Sequence, residues 1–459
     1  MPPHPLLRPL SFHAILRYRS AGPFTSFRCF PPSAFFSSSS RFSSSHSNAR
    51  NRTLFQNTGA LDGYKILDLT RVLAGPFCTQ ILADYGADVI KVEQPGKGDE
   101  TRYWRIHGES EKWKEEGISC YFACVNRNKR AITLDLKSEK GREILLDLVK
   151  KVDVIVDNFV PGKMDQLGIG YDTLSKVNPS IIHASISGYG AGGPYSKRAG
   201  YDIIAAAEGG LLHVTGEAQG PPTKPGVGLT DLCTGLFMHG AIVSALHARN
   251  RTGKGQKVDG SLFETQLALM VNIASVWLNM GREAKRWGTA HPSIVPYEAF
   301  PTKDSYLVMG ATNNRQFAIL AERLGQPDLA RDERFRTNDA RIENRVELNK
   351  ILHELFQTRT TDEWLTVFEN SGMPYGPINS IEKAFGHAQA QARDMVNTLQ
   401  MDSAADGEFK VTGFPVKFSE SKPSVRINPP LLGQHTEEVL AELGITGKRV
   451  DELRRQGVV

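Results

Sequence analysis

The first 60 residues contain no aspartate, no glutamate and no lysine, and all 459 residues include only five cysteines. The acid-free stretch carries seven arginines (Arg8, Arg17, Arg19, Arg28, Arg41, Arg50 and Arg52) and the serine run Ser37 to Ser40. It lacks an apolar run long enough for a secretory signal. Arginine and serine without acids is the composition of a mitochondrial leader, so residues 1–60 are expected to be a targeting segment, disordered by itself, that directs the chain to the mitochondrial matrix. Setting the seven arginines aside leaves 48 Lys and Arg against 50 Asp and Glu. The formal charge of +5 therefore belongs to the leader, and a nucleic-acid partner is not expected.

Long hydrophobic runs are also missing. No uninterrupted stretch reaches 18 apolar residues, so no membrane-spanning segment is expected. Cys120 and Cys124 lack the second pair that a structural zinc site needs, so no metal is expected, and Cys78 and Cys233 read as small hydrophobes in a reducing compartment. The dinucleotide fingerprint is absent as well. Leu69-Thr-Arg-Val-Leu-Ala-Gly-Pro76 has one glycine where three are required, and Pro76 removes an N–H that would meet phosphate. Glu93 only weakly echoes a ribose-binding acid, which disfavours an oxidoreductase. No internal repeat is found.

From Tyr64 onward strands and helices alternate. Lys65 to Leu69, Ala87 to Glu93, Ala131 to Leu136, Val152 to Val156 and Ser180 to Ser187 read as strands. Helices are expected from Gly75-Pro76 (proline in the first turn), at Gly141 to Lys151 and at Tyr171 to Val177. This order implies an α/β fold with a mostly parallel, Rossmann-like sheet covered on both faces. Residues 61–284 read as a large α/β domain, completed by 390–459. Residues 285–389 read as a smaller α+β domain. Its signals are a hairpin at Tyr297 to Met309 and a capping box at Thr360 and Glu363, opening a helix that Gly372 closes. One helix is expected over Ser261 to Met280.

The stretch around which the chain is organised is Gly226-Val-Gly-Leu-Thr-Asp-Leu-Cys-Thr-Gly235. Asp231 precedes a long Ala/Gly-rich helix, read as Leu232 to His247. A carboxylate there can be a helix cap, or it can be held ionised by the helix dipole and attack an acyl carbon. Asp202, opening another helix after the loop Gly188 to Pro194, can likewise be a cap or a charge steering Asp231.

Taken in order, several stretches resemble the family III CoA transferases. They are Asp68 to Pro76, Gly86 to Glu93, Asn126 to Arg130, Asn158 to Gly162, Ser187 to Gly190, Gly200 to Asp202, Asp231 to Gly235, Arg251 to Gln256 and Leu431 to His435. Arg286-Trp-Gly-Thr-Ala-His291, Ser293 to Tyr297 and Pro374 to Ile378 narrow the likeness to members that use succinyl-CoA and a dicarboxylic acid such as glutarate. The resemblance implies Asp231 as the nucleophile and Asp202 as an assisting acid. It places coenzyme A contacts at Leu73, Ala74, Leu134, Asp135, Lys137, Asn158, Phe159, Val160 and Tyr201. It implies a homodimer whose chains interlock, with no permanently bound cofactor and the coenzyme A thioester as substrate. Members acting on oxalate or formate carry glutamine where Leu73 stands, arginines at Gln94 and Gln166, and a glycine tetrad that is missing here. Racemases of the same fold pair a histidine with the central aspartate, and Tyr201 fills that place. A non-catalytic CoA-binding protein would have no need of Asp231. For the far carboxylate of a dicarboxylate, the cationic candidates are Arg286, His291 and Arg71.

Overall fold

The computed structural model describes residues 59–402, 404 and 407–459; the leader expected over 1–60 lies almost entirely outside them. Six strands form one parallel sheet: β1 (Lys65–Asp68), β2 (Asp88–Glu93), β3 (Lys129–Thr133), β4 (Val154–Asp157), β5 (Ile182–Ser187) and β6 (Gln256–Ser261), in the order β3-β2-β1-β4-β5-β6. The fold is thus α/β with a Rossmann-like sheet, as the alternation implies. Both faces of the inner strands are buried. Leu67, Ile90, Ile132 and Ile155 face one core, to which the two C-terminal helices contribute Val439, Leu440, Val450 and Leu453. Ile66, Val89, Val154 and Ile182 face the other.

The parallel sheet differs from the sequence expectation at two of its strands, β3 and β6. β3 begins at Lys129, two residues before the apolar run, because Lys129 is neutralised inside the protein. Its Nζ donates to Asp68 Oδ2, the Pro76 carbonyl and Asn126 Oδ1, each at 2.9 Å. β6 has no counterpart among the expected strands, since Gln-Lys-Val-Asp-Gly-Ser has no apolar run. It is an edge strand paired from Ile182↔Gln256 to Ser187↔Ser261, and it buries little.

The long helix runs over Leu229–Thr252, three residues earlier and five later than expected. Thr230, Thr234, Met238, Ile242, Ala245 and Leu246 recur at helical spacing and are buried, several of them in the second core. Its opposite face leaves Leu236 and Phe237 exposed. Among the described residues this helix is long and apolar enough to cross a bilayer, with a mean hydropathy of 1.4 over 18 residues. That corrects the expectation that no stretch qualifies, which counted only uninterrupted apolar residues. Here the apolar character serves the packing against the sheet and the helix Ala74–Asp84, where Gly235 admits the Ala74 carbonyl at a distance a Cβ would not tolerate.

The single helix expected over Ser261 to Met280 is two, Leu262–Leu269 and Val271–Met280, broken where Val271 takes a positive φ of 35°. A three-stranded antiparallel sheet, β7 (Tyr297–Pro301), β8 (Tyr306–Gly310) and β9 (Tyr375–Pro377), has its own core around Phe300, Phe317, Phe356 and Phe368. The Thr360 capping box is present, but its helix stops at Phe368, before Gly372. Strands β10 (Val396–Gln400) and β11 (Glu408–Thr412) pair antiparallel.

Candidate active site

Strand order reverses between β1 and β4, and in open α/β sheets the crevice beyond the strand ends at that point is where ligands bind. Two loops meet there, Leu69–Leu73 after β1 and Asn158–Pro161 after β4. They are stitched together by Arg71 N–H donating to Asn158 Oδ1 (3.0 Å) and Asn158 Nδ2 donating to the Arg71 carbonyl (2.7 Å).

Two adjoining cavities open on either side of this stitch. One, of about 410 Å³, is lined by Gln94, Leu134, Asp135, Lys137 and Leu167. The other, of about 180 Å³, is lined by Leu73, Ala74, Arg198, Tyr201 and Asp231. Arg71, Asn158, Phe159 and Val160 line both. Residues singled out from four distant parts of the sequence are thus brought to one cleft, with Asp231 at its smaller end. Glycine makes part of this closeness. A Cβ on Gly188 would lie 2.7 Å from Gly200 Cα, so the motifs around Gly188 and Tyr201 touch backbone to backbone.

Asp231 is not the cap of its helix. Gly228 holds the capping position and Asp231 is the third helical residue. The first-turn N–H groups of Thr230 and Asp231 are instead taken by Asp202 Oδ1, at 2.9 and 3.2 Å. Asp202 therefore caps a neighbouring helix across 28 residues of sequence, while its own helix, Asp202–Glu208, starts with it. The first-turn N–H groups that would favour an ionised Asp231 are thus occupied by Asp202. Burial, and after it the Asp202 charge, pushes its carboxyl up to about 7. Asp202 thus does not cap the helix it opens, where Tyr201 holds the capping position, but caps the helix of Asp231 and sets its charge beside it.

Two residues missed in the sequence bear on this site, Tyr121 within range of the Asp231 charge and Arg198 on the cavity wall. The Tyr121 phenol is pushed up to about 12, by burial first and then by the charge of Asp231. It is carried on the short helix Cys120–Cys124, and its ring meets Trp104 edge-on at 5.4 Å. No motif marks it; only an aromatic next to the Asn126 to Arg130 stretch could have drawn notice. Arg198 lines the Asp231 cavity, paired with Glu208 at 2.7 Å and lying over the rings of Tyr189 and Tyr195. In sequence it is one basic residue in a glycine-rich loop, with nothing to set it apart.

The three cations proposed for a distal carboxylate part company. Arg71 lines both cavities and pairs with Glu100 at 2.9 Å. Arg286 donates to the His213 carbonyl at 3.0 Å, and the His291 carbonyl accepts from Arg345 at 3.0 Å; neither lines the cleft of this chain.

A two-part cleft on a Rossmann-like frame, with a half-buried aspartate on a helix at its smaller end, suits an enzyme that handles acyl thioesters. The comparisons agree. Residues 61–436 match the family model described as CoA-transferase family III. The chain is 56% identical to an acyl-CoA transferase of Fusarium pseudograminearum over 90% of this chain and 91% of that protein. It is 47% identical to the succinyl-CoA:glutarate CoA-transferase of Homo sapiens, over 88% of this chain and 90% of that one. Among solved structures, a CAIB/BAIF family protein from Brucella suis superposes with a TM-score of 0.74 at 39% identity, over 84% of this chain and all of that one. The chain belongs to CoA-transferase family III and is a CoA transferase.

Proposed function

We propose that this enzyme moves coenzyme A from succinyl-CoA to a free dicarboxylic acid such as glutarate through an aspartyl-CoA thioester on Asp231. The observation that carries the reading is Asp231 itself, a carboxyl of raised basicity at the smaller end of a cleft lined by the nine residues expected to hold coenzyme A.

In the proposed sequence an Asp231 carboxylate oxygen attacks the thioester carbon, the C–S bond breaks, and CoA leaves as thiolate beside a mixed anhydride. The thiolate then attacks the Asp231 acyl carbon and expels succinate, leaving the aspartyl thioester. Glutarate attacks that thioester, again releasing thiolate, which finally takes the glutaryl group and regenerates the Asp231 carboxylate. Acyl bonds of similar energy are exchanged throughout, so the atoms balance without ATP or a metal. Hydrogen-bond donors around the reacting carbonyl stabilise each oxyanion, and the Tyr121 phenol, protonated throughout the working range, is placed near Asp231 to be one. Water must stay out, because either anhydride would hydrolyse.

Incubation of the protein with succinyl-CoA and a panel of free acids, read by acyl-CoA mass, tests this. Glutaryl-CoA and free succinate are expected in equal amounts, together with a hydroxylamine-trappable adduct on Asp231 from donor alone. Succinyl-CoA hydrolysis without exchange would sink the reading.

For the second carboxylate, Arg71 and Arg198 are the cations lining the cavity that holds Asp231, and a desolvated charge there requires one. Arg71→Lys keeps a charge but loses the planar fork. It is expected to raise KM for glutarate and succinate by about tenfold while sparing a neutral-tailed acid of equal length. Equal effects on both kinds of acid would remove Arg71 from that role and leave Arg198 as the cation lining that cavity.

The enzyme is further proposed to work as a homodimer in the mitochondrial matrix. Leu278 at 78% and Trp277 at 53% exposure, with Phe237 at 55%, support an apolar face that a second copy covers.

A further inference from the structure

Val72 sits at φ 72°, the left-handed region. For a β-branched residue that is a true outlier, which persists only where its surroundings impose it. It lines the cavity that holds Asp231, and it immediately precedes Leu73 and the helix Ala74–Asp84.

The surroundings do impose it. The Val72 N–H donates to Asp99 Oδ1 at 3.2 Å. Asp99 is fully buried and paired with the equally buried Lys91, whose Nζ lies 3.0 Å from Asp99 Oδ2 and 2.9 Å from the Thr70 carbonyl. Thr70 N–H is fixed on Asp68 Oδ1, and both backbone groups of Arg71 are fixed on Asn158. Every backbone polar group from Thr70 N–H to Val72 N–H thus has a partner. The N–H groups of Leu73 and Ala74, next in line, have no partner among the described residues.

We propose that the buried Lys91–Asp99 pair holds Val72 left-handed so that the free N–H groups of Leu73 and Ala74 are aimed at the carbonyl oxygen of the acyl group reacting with Asp231. Val72 and Asp99 are then positioning residues. They touch no substrate, and they set the two donors that do. A Val72 released from Asp99 would relax to negative φ and swing those donors out of line. The strained residue is held by its N–H bond to a carboxylate that Lys91 anchors in place, so the geometry exists before substrate arrives. This rests on the transferase reading of the cleft.

Two measurements test it. The first uses no chemistry. At an ordinary position glycine is less stable than alanine, whereas at an imposed positive φ the order reverses. Val72→Gly is therefore expected to unfold at a higher temperature than Val72→Ala, and the ordinary order would overturn the proposal. The second is a cycle of kcat values for succinyl-CoA and glutarate. Asp99→Asn is expected to lower kcat roughly tenfold to a hundredfold with KM for succinyl-CoA within about threefold. Asp99→Asn with Val72→Gly should recover at least about a third of the lost activity on a logarithmic scale, because glycine enters the left-handed region unaided. A merely structural Asp99 would give no recovery, and a double variant no faster than Asp99→Asn overturns the proposal. Should Asp99→Asn not fold, Val72→Pro replaces it. Proline fixes φ near −65° and leaves the ion pair intact, so a folded Val72→Pro enzyme that retains more than about half its kcat is equally fatal. Wild-type transfer in the same assay reports on the transferase reading separately, since the unfolding order does not depend on it.

Discussion

Asp231→Asn is expected to abolish transfer, by at least about a thousandfold in kcat, while leaving the fold intact. The amide is nearly isosteric but cannot attack a thioester, so no anhydride forms and no adduct can be trapped. Structure gives no reason for collapse. The helix Leu229–Thr252 is capped by Asp202 rather than by Asp231, and that cap survives the substitution. Stability should in fact rise at pH 8. Asp231 has a folded value near 7, raised from 3.8 by burial and the Asp202 charge. An acid whose folded value is raised binds its proton more tightly when folded, so stability falls as pH climbs from about 4 through about 7, and the ionised form is the costly one. The asparagine removes that cost. Thermal unfolding at pH 8, kcat, and mass analysis to exclude deamidation settle the matter together. An Asp231→Asn protein that turns over substantially with its amide intact would mean the aspartate is not the carrier.

How much of this is legible in the sequence depends on whether a residue's role is local. β1, β2 and β5 announce themselves as apolar runs, and Tyr171–Val177 matches its expected bounds to the residue because its ends are set by neighbours in sequence. Lys129 hides the start of β3, since a lysine in a strand reads as an exposed end. Only the partner Asp68, 61 residues away, explains its burial. Asp202 cannot be assigned from sequence as the cap of the Asp231 helix, because such a cap has no sequence spacing. Tyr121 comes within range of the Asp231 charge, and Arg198 reaches the cavity wall, through tertiary packing alone. Asp231 itself is marked by its glycine-rich approach and its resemblance, but its ionisation is not. A helix terminus stabilises a carboxylate only if the N–H groups are still free, and here another carboxylate has already taken them.

That occupancy has a measurable consequence in the pH dependence. The nucleophile must be ionised, so kcat/KM for succinyl-CoA is expected to rise with pH through a midpoint near 7 and to fall about tenfold per unit on the acid side. An ordinary aspartate would titrate far below, leaving activity flat down to about pH 5. Burial is the larger cause of the shift and the Asp202 charge the second. Asp202→Asn separates them. Its side-chain oxygen can still accept from Thr230 and Asp231 N–H, so the helix keeps its cap, but the negative charge is gone. The midpoint should move to lower pH without reaching 3.8, because burial remains. At about pH 5.5 the variant is therefore expected to retain a larger fraction of its activity at about pH 8 than the wild type does. The phenol of Tyr121, at about 12, titrates beyond the assay range and cannot mimic this. Asp202→Ala should move the midpoint in the same direction and also lose the cap, destabilising the protein by about 1 kcal/mol. A midpoint unmoved by Asp202→Asn would show that the titrating group is not Asp231, whatever the height of the profile.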